Sequence, residues 1–307
     1  MTSLSLKAKL LSNVFITITP KGGAGKTETA ECLEAAITLG GANCALVDVD
    51  DGNRGIARRV GKDNVTKLDW STSITAAPAW VDRHTGEADA MIFDLGAGID
   101  SADLPVMAFL STVWRMLADQ GARITICAVI STNARTSAFV ERLDRRFGDL
   151  GQVIVICNNQ DGSRAFPAEL STLPQPKVQL GQLPSGIQAV RLDRLERLSA
   201  VISNPAPNYR IASAIMAKRV FEFAREPAIS DLIKVNRVEA LLLPSATVPR
   251  LRYSITTKLH STDDVITANA RLSAGQETLL RPDLNDSEVL AAAQNFRKLN
   301  AAYIKLL

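Results

Sequence analysis

The sequence predicts an α/β protein with a mainly parallel, twisted sheet and helices on both of its faces. Two observations lead to this fold class. Short apolar runs rich in β-branched residues alternate along the chain with helical patterns, which is typical of strands buried on both faces. In addition, glycine, aspartate and asparagine residues lie at the carboxyl ends of four of these runs, where parallel sheets bind their ligands.

The elements are predicted in chain order from these patterns. The apolar runs predict strands at Asn13–Thr19, Asn43–Val49, Ala90–Asp94, Arg123–Ser131, Gln152–Asn158 and Lys177–Leu183. Helical patterns lie between or after the strands, at Thr27–Leu39, at Leu104–Asp119 and at about 134–148 and 187–202. The alternation stops near residue 235, so we predict one α/β domain over residues 1–235.

Residues 236–307 are predicted to form a C-terminal extension that is partly helical. Leu241–Pro249 is an apolar stretch interrupted by proline, and Leu251–Thr257 has the composition of a strand. Asp286–Leu307 carries apolar side chains at helical spacing, which predicts an amphipathic helix at the end of the extension. Its apolar stripe consists of Val289, Leu290, Ala293, Phe296, Leu299, Tyr303 and Ile304.

Composition argues against several classes of protein. The net charge of +3 over 307 residues is nearly balanced, so composition alone does not predict a nucleic-acid-binding protein. The four cysteines lie far apart in apolar or helical stretches, where we expect them to pack in the core of a protein from a reducing compartment. No run approaches 18 apolar residues, and Leu10–Ile18 leads into a glycine loop without a signal-peptide cleavage site. We therefore expect a cytoplasmic protein, and its two histidines predict no zinc centre.

The segment Lys21–Thr27, with the sequence Lys-Gly-Gly-Ala-Gly-Lys-Thr, joins the first predicted strand to the first predicted helix. Its three glycines lack Cβ, so backbone N–H groups can surround phosphate oxygens, and the following helix adds the positive end of its dipole. Lys26 is expected to reach the β- and γ-phosphates, and the Thr27 hydroxyl to bind Mg²⁺. The segment therefore predicts a site for a nucleoside triphosphate and Mg²⁺.

The loop departs from the standard phosphate-binding pattern G-x-x-x-x-G-K-[ST]. Pro20 stands where that pattern has its first glycine, and Lys21 adds a second lysine. With this second lysine, the loop resembles the deviant Walker A motif of the ParA/MinD family of P-loop ATPases. The resemblance implies that Lys21 reaches across an ATP-bound homodimer to the partner's phosphates, where its charge stabilises the transition state as an arginine finger does.

Two further segments resemble the same family. Ala45–Asp50 is similar to its second strand with an Asp-x-Asp motif, which implies that Asp50 lies in a first switch near Mg²⁺ and the attacking water. Asp48 would share this role or orient Asp50. Met91–Asp94 is similar to the Walker B strand, which implies that Asp94 holds a metal-bound water.

The resemblance covers about residues 12–230, with departures beside the loop and beyond it. Leu95–Gly98 would form the second switch, in which Gly96 stands where proline is common. Glu28 follows Thr27 in place of a small hydroxyl residue. We expect Glu28 to suit the helix dipole and to lie near Mg²⁺, where its charge would weaken or retune nucleotide binding.

The segment Asn158–Asp161 follows the fifth predicted strand, and the resemblance implies that Asn158 contacts adenine. GTPases carry Asn-Lys-x-Asp at a similar place, and this segment is that motif without its lysine, so ATP is favoured over GTP. The predicted catalytic residues are Lys21, Lys26 and Asp50, and the predicted metal site is Thr27, Asp50 and Asp94. The predicted nucleotide-binding residues are Gly22, Gly23, Ala24, Gly25, Lys26, Thr27, Glu28 and Asn158.

The resemblance implies a ParA-type ATPase that partitions or positions plasmid or chromosome DNA, or another cargo. Such a protein forms a dimer with ATP, binds DNA without sequence preference and is released when an activator protein stimulates slow hydrolysis. Non-specific DNA binding needs basic residues gathered on one face. The candidate clusters are Arg54, Arg58, Arg59 and Lys62, and Lys218, Arg219 and Arg225.

Alternatives of other classes stay open. A MinD-like membrane cycle needs a basic C-terminal helix, and the predicted helix offers Arg297, Lys298 and Lys305 on its polar face. A nucleotide-binding scaffold with little or no hydrolysis, or a ligase of the same superfamily, would carry the same loop. Related iron–sulfur reductases and tyrosine kinases fit less well, because the cysteines lie within regular elements and the chain has three tyrosines.

Overall fold

The computed structural model describes residues 11–86, 88–99, 104–132, 137–206 and 209–233. The strands are β1 Asn13–Ile18, β2 Cys44–Val49, β3 Thr66–Lys67, β4 Ala90–Leu95, β5 Arg123–Ser131, β6 Gln152–Asn158 and β7 Lys177–Leu180. The helices are α1 Lys26–Leu39, α2 Gly55–Val60, α3 Ala77–His84, α4 Pro105–Asp119, α5 Ser137–Phe147, α6 Ser185–Asp193, α7 Leu198–Ser203, α8 Arg210–Ala224 and α9 Pro227–Ser230.

The seven strands of the described chain form one sheet in the order β3-β2-β4-β1-β5-β6-β7. Every neighbouring pair is parallel, so the carboxyl ends of all the strands lie at the same edge. The fold class predicted from the sequence is therefore confirmed. In this register Asp94 lies beside Thr17 of β1 and Asp48 of β2, which brings three polar residues together at one edge.

Helices cover both faces of the sheet because its strands are apolar on both. In β1, Val14 and Ile16 point into a core that α3, α4 and α5 cover, and this core includes a group of tryptophan and phenylalanine rings. Phe15, on the opposite face of β1, packs in a second core with Leu33 of α1 and with residues of α6, α7, α8 and α9. Alternating strand residues thus stabilise two separate helical layers.

Several elements differ from the sequence prediction. The single helix predicted at 187–202 is wrong, because α6 ends at Asp193 and α7 begins at Leu198. The break is held by the buried Arg191, whose guanidinium donates to the carbonyl oxygens of Arg194 and Glu196, each at 2.8 Å. Helices α2, α3, α8 and α9 and the two-residue strand β3 were not predicted.

The predicted boundary near residue 235 and the extension 236–307, with its terminal amphipathic helix, lie outside the described residues. Among the residues that are described, no helix is both long enough and apolar enough to cross a membrane. All four cysteines are buried and unpaired, as their apolar surroundings predicted.

Candidate nucleotide-binding site

The predicted phosphate loop follows β1 at the carboxyl edge of the sheet and leads directly into α1. Since β4 is the neighbour of β1, and β2 the neighbour of β4, the residues after these strands lie beside the loop. A glycine-rich loop between β1 and α1 of a parallel sheet forms the P-loop arrangement. The chain has this arrangement. The predicted site residues at the ends of β1, β2, β4 and β6 therefore lie together at one edge of the sheet.

Glycine is required at two positions of the loop. Gly23 and Gly25 have φ angles of 80° and 93°, in the left-handed region that residues with a Cβ rarely adopt. A Cβ on Gly25 would also lie 1.8 Å from Nδ2 of Asn158. Gly25 caps α1 without a side-chain hydrogen bond, so no capping side chain competes for the first N–H groups of that helix. This geometry fits a phosphate group.

The predicted metal side of the site is a hydroxyl and a carboxylate in contact. The Thr27 hydroxyl donates to Oδ2 of Asp94 at 2.8 Å, and the Thr17 hydroxyl donates to Oδ1 at 3.0 Å. Oxygen ligands of these kinds are those that Mg²⁺ prefers, so Thr27 and Asp94 fit the ion. The structure brings them together as the sequence predicted.

Gly55, the first residue of α2, belongs to the site although sequence reasoning missed it. A Cβ there would lie 2.6 Å from the Thr27 hydroxyl oxygen and 3.7 Å from Oδ2 of Asp94. A side chain at this position would therefore press on the metal side of the site. Its only sequence signal is a glycine five residues after Asp50, which is too common a feature to be read alone.

Burial shifts the ionisation of the charged groups at the loop. It raises the pKa of Asp94 to about 6, although the Lys26 charge and the hydrogen bonds from Thr27 and Thr17 oppose that rise. It also lowers the pKa of Lys26, against the attraction of Asp94 and Asp50. Charges in such a poorly hydrated site act strongly on each other and on any bound phosphate.

The two aspartates at the end of β2 have different positions. Asp48 is fully buried, and its carboxylate accepts the backbone N–H groups of Asp50 and Ala57, both at 3.0 Å. Of the two roles open to Asp48, the geometry therefore supports the orienting one. Asp50 is partly exposed, and its Oδ1 accepts the N–H of Asn53 at 3.0 Å.

Asn158 does not occupy the position expected of an adenine contact. The residue is fully buried, and its Nδ2 donates to the Ala24 carbonyl at 3.1 Å and to Oε2 of Glu28 at 3.3 Å. The expectation is corrected for a physical reason: the amide lies beneath the loop, in space left free by Gly25. Asn158 supports the phosphate loop from below.

Glu28 has partners inside the protein, and its expected position near Mg²⁺ stays a prediction. It is buried, and its Oε1 pairs with Nη1 of Arg219 on α8 at 2.9 Å. The same contact corrects one predicted DNA cluster, because Arg219 is 7% exposed and cannot face a nucleic acid. Lys218 and Arg225 remain exposed.

The other predicted DNA cluster is partly used inside the protein. Arg54 pairs with Asp51 and Asp69, and Arg59 pairs with the buried Glu31 at 2.6 Å. These two arginines hold neighbouring segments together instead of forming an open basic patch. Of this cluster, Arg58 and Lys62 are exposed.

The two lysines of the loop differ in exposure. Lys26 is 8% exposed and lies within the site, whereas Lys21 at the start of the loop is exposed to solvent. An exposed cation at the rim of a phosphate loop is accessible to a second molecule. Its contact with a partner's phosphates stays a prediction.

Comparison with known proteins gives remote similarities. No protein-family model matches the chain, and no curated protein matches it. Similar solved structures include MinD in the MinC:MinD cell division complex of Aquifex aeolicus, with 15% identity, a TM-score of 0.46, and coverage of 68% of this chain and 96% of that chain. MinD of Pyrococcus horikoshii with Mg-ADP has 15% identity and a TM-score of 0.46, with coverage of 67% of this chain and 95% of that chain. A ParA family ATPase from Chlorobium tepidum has 15% identity and a TM-score of 0.43, with coverage of 68% of this chain and 96% of that chain.

These proteins are of the family that the loop motif resembles. At this level of identity and TM-score the likeness carries no functional conclusion, so function is derived from the chain's own loop and its contacts.

Proposed function

We propose that the protein is an ATPase of the ParA/MinD type, which forms a homodimer with ATP and converts ATP and water to ADP and phosphate. The observation that carries this proposal is the pair of lysines on one phosphate loop. Lys26 is buried beside Thr27 and Asp94, whereas Lys21 is exposed at the rim. One lysine is placed to serve its own site, and the other is accessible to the site of a partner.

Each residue of the site has a defined part in this chemistry. The backbone N–H groups of the loop and the Lys26 ammonium bind the phosphates. Thr27 and Asp94 would hold Mg²⁺, which neutralises negative charge on the phosphate oxygens when it is bound. Asp50, whose backbone is fixed by Asp48, would orient the attacking water. Lys21 from the partner protomer would stabilise the charge of the transition state.

ATP, and not GTP, is the proposed nucleotide. The sequence lacks the lysine of the Asn-Lys-x-Asp motif, and the structure gives Asp161 other partners. Its carboxylate accepts the Thr132 hydroxyl at 2.8 Å, and the N–H and hydroxyl of Ser163 at 3.0 and 2.8 Å. These contacts support a base site that does not depend on a free aspartate.

The test is sedimentation velocity with a non-hydrolysable ATP analogue, combined with calorimetric titration of ATP, ADP and GTP. Wild type should become dimeric with the analogue and bind ATP more tightly than GTP. Lys21→Ala should keep its ATP affinity but lose turnover by about 10³-fold, as expected for a charge that acts in the transition state. Lys26→Ala should lose nucleotide binding, and Lys67→Ala, which removes an exposed lysine from β3, is the matched control. Absence of ATP binding by wild type, or normal turnover in Lys21→Ala, would contradict the proposal.

Non-specific DNA is the proposed binding surface for the ATP-bound dimer. Four exposed basic residues of the candidate clusters support it: Arg58, Lys62, Lys218 and Arg225. The ATP-bound protein should cosediment with plain DNA, and binding should fall steeply as salt rises because each phosphate contact releases counterions. Parallel cosedimentation with anionic vesicles tests the membrane alternative. Binding to vesicles alone would favour a MinD-like cycle, and binding to neither would exclude both.

A further inference from the structure

Trp70 contacts two neighbouring segments beside the site, after β2 and after β4, that are expected to respond to the nucleotide. We call residues 50–54 the first switch loop and residues 95–98 the second switch loop. Trp70 lies just after β3, outside both loops and outside every motif found in the sequence. Its position is therefore not explained by nucleotide binding itself.

The backbone of Trp70 contacts the first switch loop, and its indole contacts the last residue of β2, directly before that loop. Its N–H donates to Oδ2 of Asp51 at 2.9 Å, and its Nε1 donates to the Val49 carbonyl at 2.8 Å. Val49 directly precedes Asp50, and the same carbonyl accepts the N–H of Gly96 at 3.3 Å. One carbonyl group thus accepts from Trp70 and from the second switch loop, at the residue directly before the first switch loop.

The indole ring also lies against the second switch loop. A Cβ on Gly96 would lie 2.8 Å from Cζ2 of Trp70, so close that the ring would have to shift, and 3.4 Å from its Cε2. The ring therefore accounts for glycine at the position where the family commonly has proline. The Trp70 carbonyl also accepts the N–H of Val106, in the first turn of α4, at 3.2 Å.

We propose that Trp70 is a positioning residue, which couples the two switch loops so that Asp50 is set in place together with the second loop. The effect of this coupling on catalysis rests on the proposed ATPase function, whereas the contacts of Trp70 are features of the fold itself. Movement of Gly96 displaces the indole and the shared Val49 carbonyl, and this carbonyl fixes where the first switch loop begins.

The first test compares Trp70→Phe and Trp70→Ala with Trp80→Phe as a matched control. Trp80 is another mostly buried tryptophan, but it packs on Phe93 and Phe109 in the aromatic core. Both Trp70 variants should lower kcat for ATP hydrolysis, by about tenfold or more for Trp70→Ala, while the Kd for ATP changes less than about twofold. Trp80→Phe should change thermal stability and leave kcat unaltered. An unchanged kcat in folded Trp70→Ala would overturn the proposal.

The second test uses Gly96→Ala, which displaces the indole without removing any of its hydrogen-bonding groups. Gly96→Ala should lower kcat in the wild-type background. In the Trp70→Ala background it should cause no further loss, because the indole that the new Cβ would displace is absent. The double variant should therefore match Trp70→Ala within about twofold, as coupled sites do in a double-mutant cycle. Losses that multiply in the double variant would show that Trp70 and Gly96 act separately and would overturn the coupling.

Hydrogen exchange of the nucleotide-free protein separates this inference from the proposed function. Trp70→Ala should increase exchange in peptides covering both switch loops, and Trp80→Phe should not. Faster exchange in only one loop, or in neither, would overturn the coupling. If wild type neither binds nor hydrolyses ATP, the ATPase proposal fails, and joint exchange in the two loops still supports the contact through Trp70.

Discussion

The two helical layers of this protein are attached to the same sheet by different chemistry. On the face covered by α3, α4 and α5, aromatic rings pack edge to face. Trp114 lies 5.8 Å from Phe93 and 5.7 Å from Phe147, at interplanar angles of 83° and 77°. Contacts of this kind stabilise through buried apolar area and edge-to-face ring geometry, and they bury no charged group.

On the other face, α1 carries a buried row of three glutamates, Glu28, Glu31 and Glu34, which lie on one side of the helix. Glu31 pairs with Arg59 of α2 and with Arg191 of α6, and Glu34 accepts the Ser199 hydroxyl of α7 at 2.6 Å. Burial raises the pKa of Glu34, and its hydrogen bonds and the nearby Arg197 only partly oppose this.

The difference concerns the helix that follows the phosphate loop. Buried ion pairs contribute little net stability because desolvation offsets the attraction, but they need a defined geometry. We infer that they fix the rotation of α1, and with it the first helical N–H groups that would face a bound phosphate. None of the helices α3, α4 and α5 in the aromatic layer follows the phosphate loop, so apolar packing is sufficient to hold them.

Among the variants that test this contrast between the two layers, Arg191→Met is expected to have the largest effect on stability. It leaves the buried Glu31 with Arg59 as its remaining partner, and should lower the free energy of unfolding by about 3–5 kcal/mol in urea denaturation. It should also weaken ATP binding severalfold, because α1 loses one of its directional contacts.

Two variants check this interpretation. Glu31→Met/Arg191→Met should recover most of the stability, because the buried Glu31 carboxylate is removed together with its Arg191 partner. Phe109→Leu, on the aromatic face, should cost about 1.5 kcal/mol and leave ATP affinity unchanged. Equal instability of the single and double variants would show that lost packing, and not charge, causes the effect.

A smaller effect is expected from Asp94, a buried carboxylate whose hydrogen bonds come from hydroxyl groups and not from arginines. Its pKa of about 6 in the folded chain lies above the ordinary value of 3.8. Because the folded chain binds the Asp94 proton more tightly than the unfolded chain does, this proton stabilises the fold below pH 3.8. The stabilisation is lost as the pH rises through 6.

Without metal and nucleotide, Asp94→Asn should therefore be more stable than wild type at pH 7 by about 3 kcal/mol, and equal to it below pH 4. Thermal melts in EDTA across this pH range measure the difference. A constant difference at all pH values would mean that Asp94 is not the group that titrates.

The smallest effect is expected for an ion pair at the surface of the aromatic layer. Arg115 and Asp149 are 3.1 Å apart and more than half exposed, at 64% and 61%. Because both charges are hydrated, Arg115→Ala should change the free energy of unfolding by about 0.5 kcal/mol or less, measured in urea at low and high salt. A loss comparable to that of Arg191→Met would remove the contrast between the two layers.

The sequence predicted the sheet and the residues at its carboxyl edge, because both depend on local patterns. Buried strands show as apolar runs, and the glycine loop shows as a motif. It did not predict where Asn158 and Glu28 point, because Asn158 occupies space left free by Gly25 and Glu28 pairs with Arg219. The Glu28–Arg219 pair depends on tertiary contacts that no local pattern records.

Trp70 was missed for a similar reason. Its predicted role depends on the Val49 carbonyl and on Gly96, which contact it only in the folded chain.

The helix α2 is short and its first residue is a glycine, so helix propensity gave no signal for it.

The contact beneath the phosphate loop also determines when the loop can acquire its shape during synthesis. Asn158 and the Ala24 carbonyl are 134 positions apart in the chain. At the usual pace of translation, the ribosome completes β6 about 10 s after it has made the loop. A nascent chain that ends before Asn158 carries the full phosphate-binding motif but lacks the side chain that supports it from below. Nucleotide affinity should therefore arise only after β6 has been made.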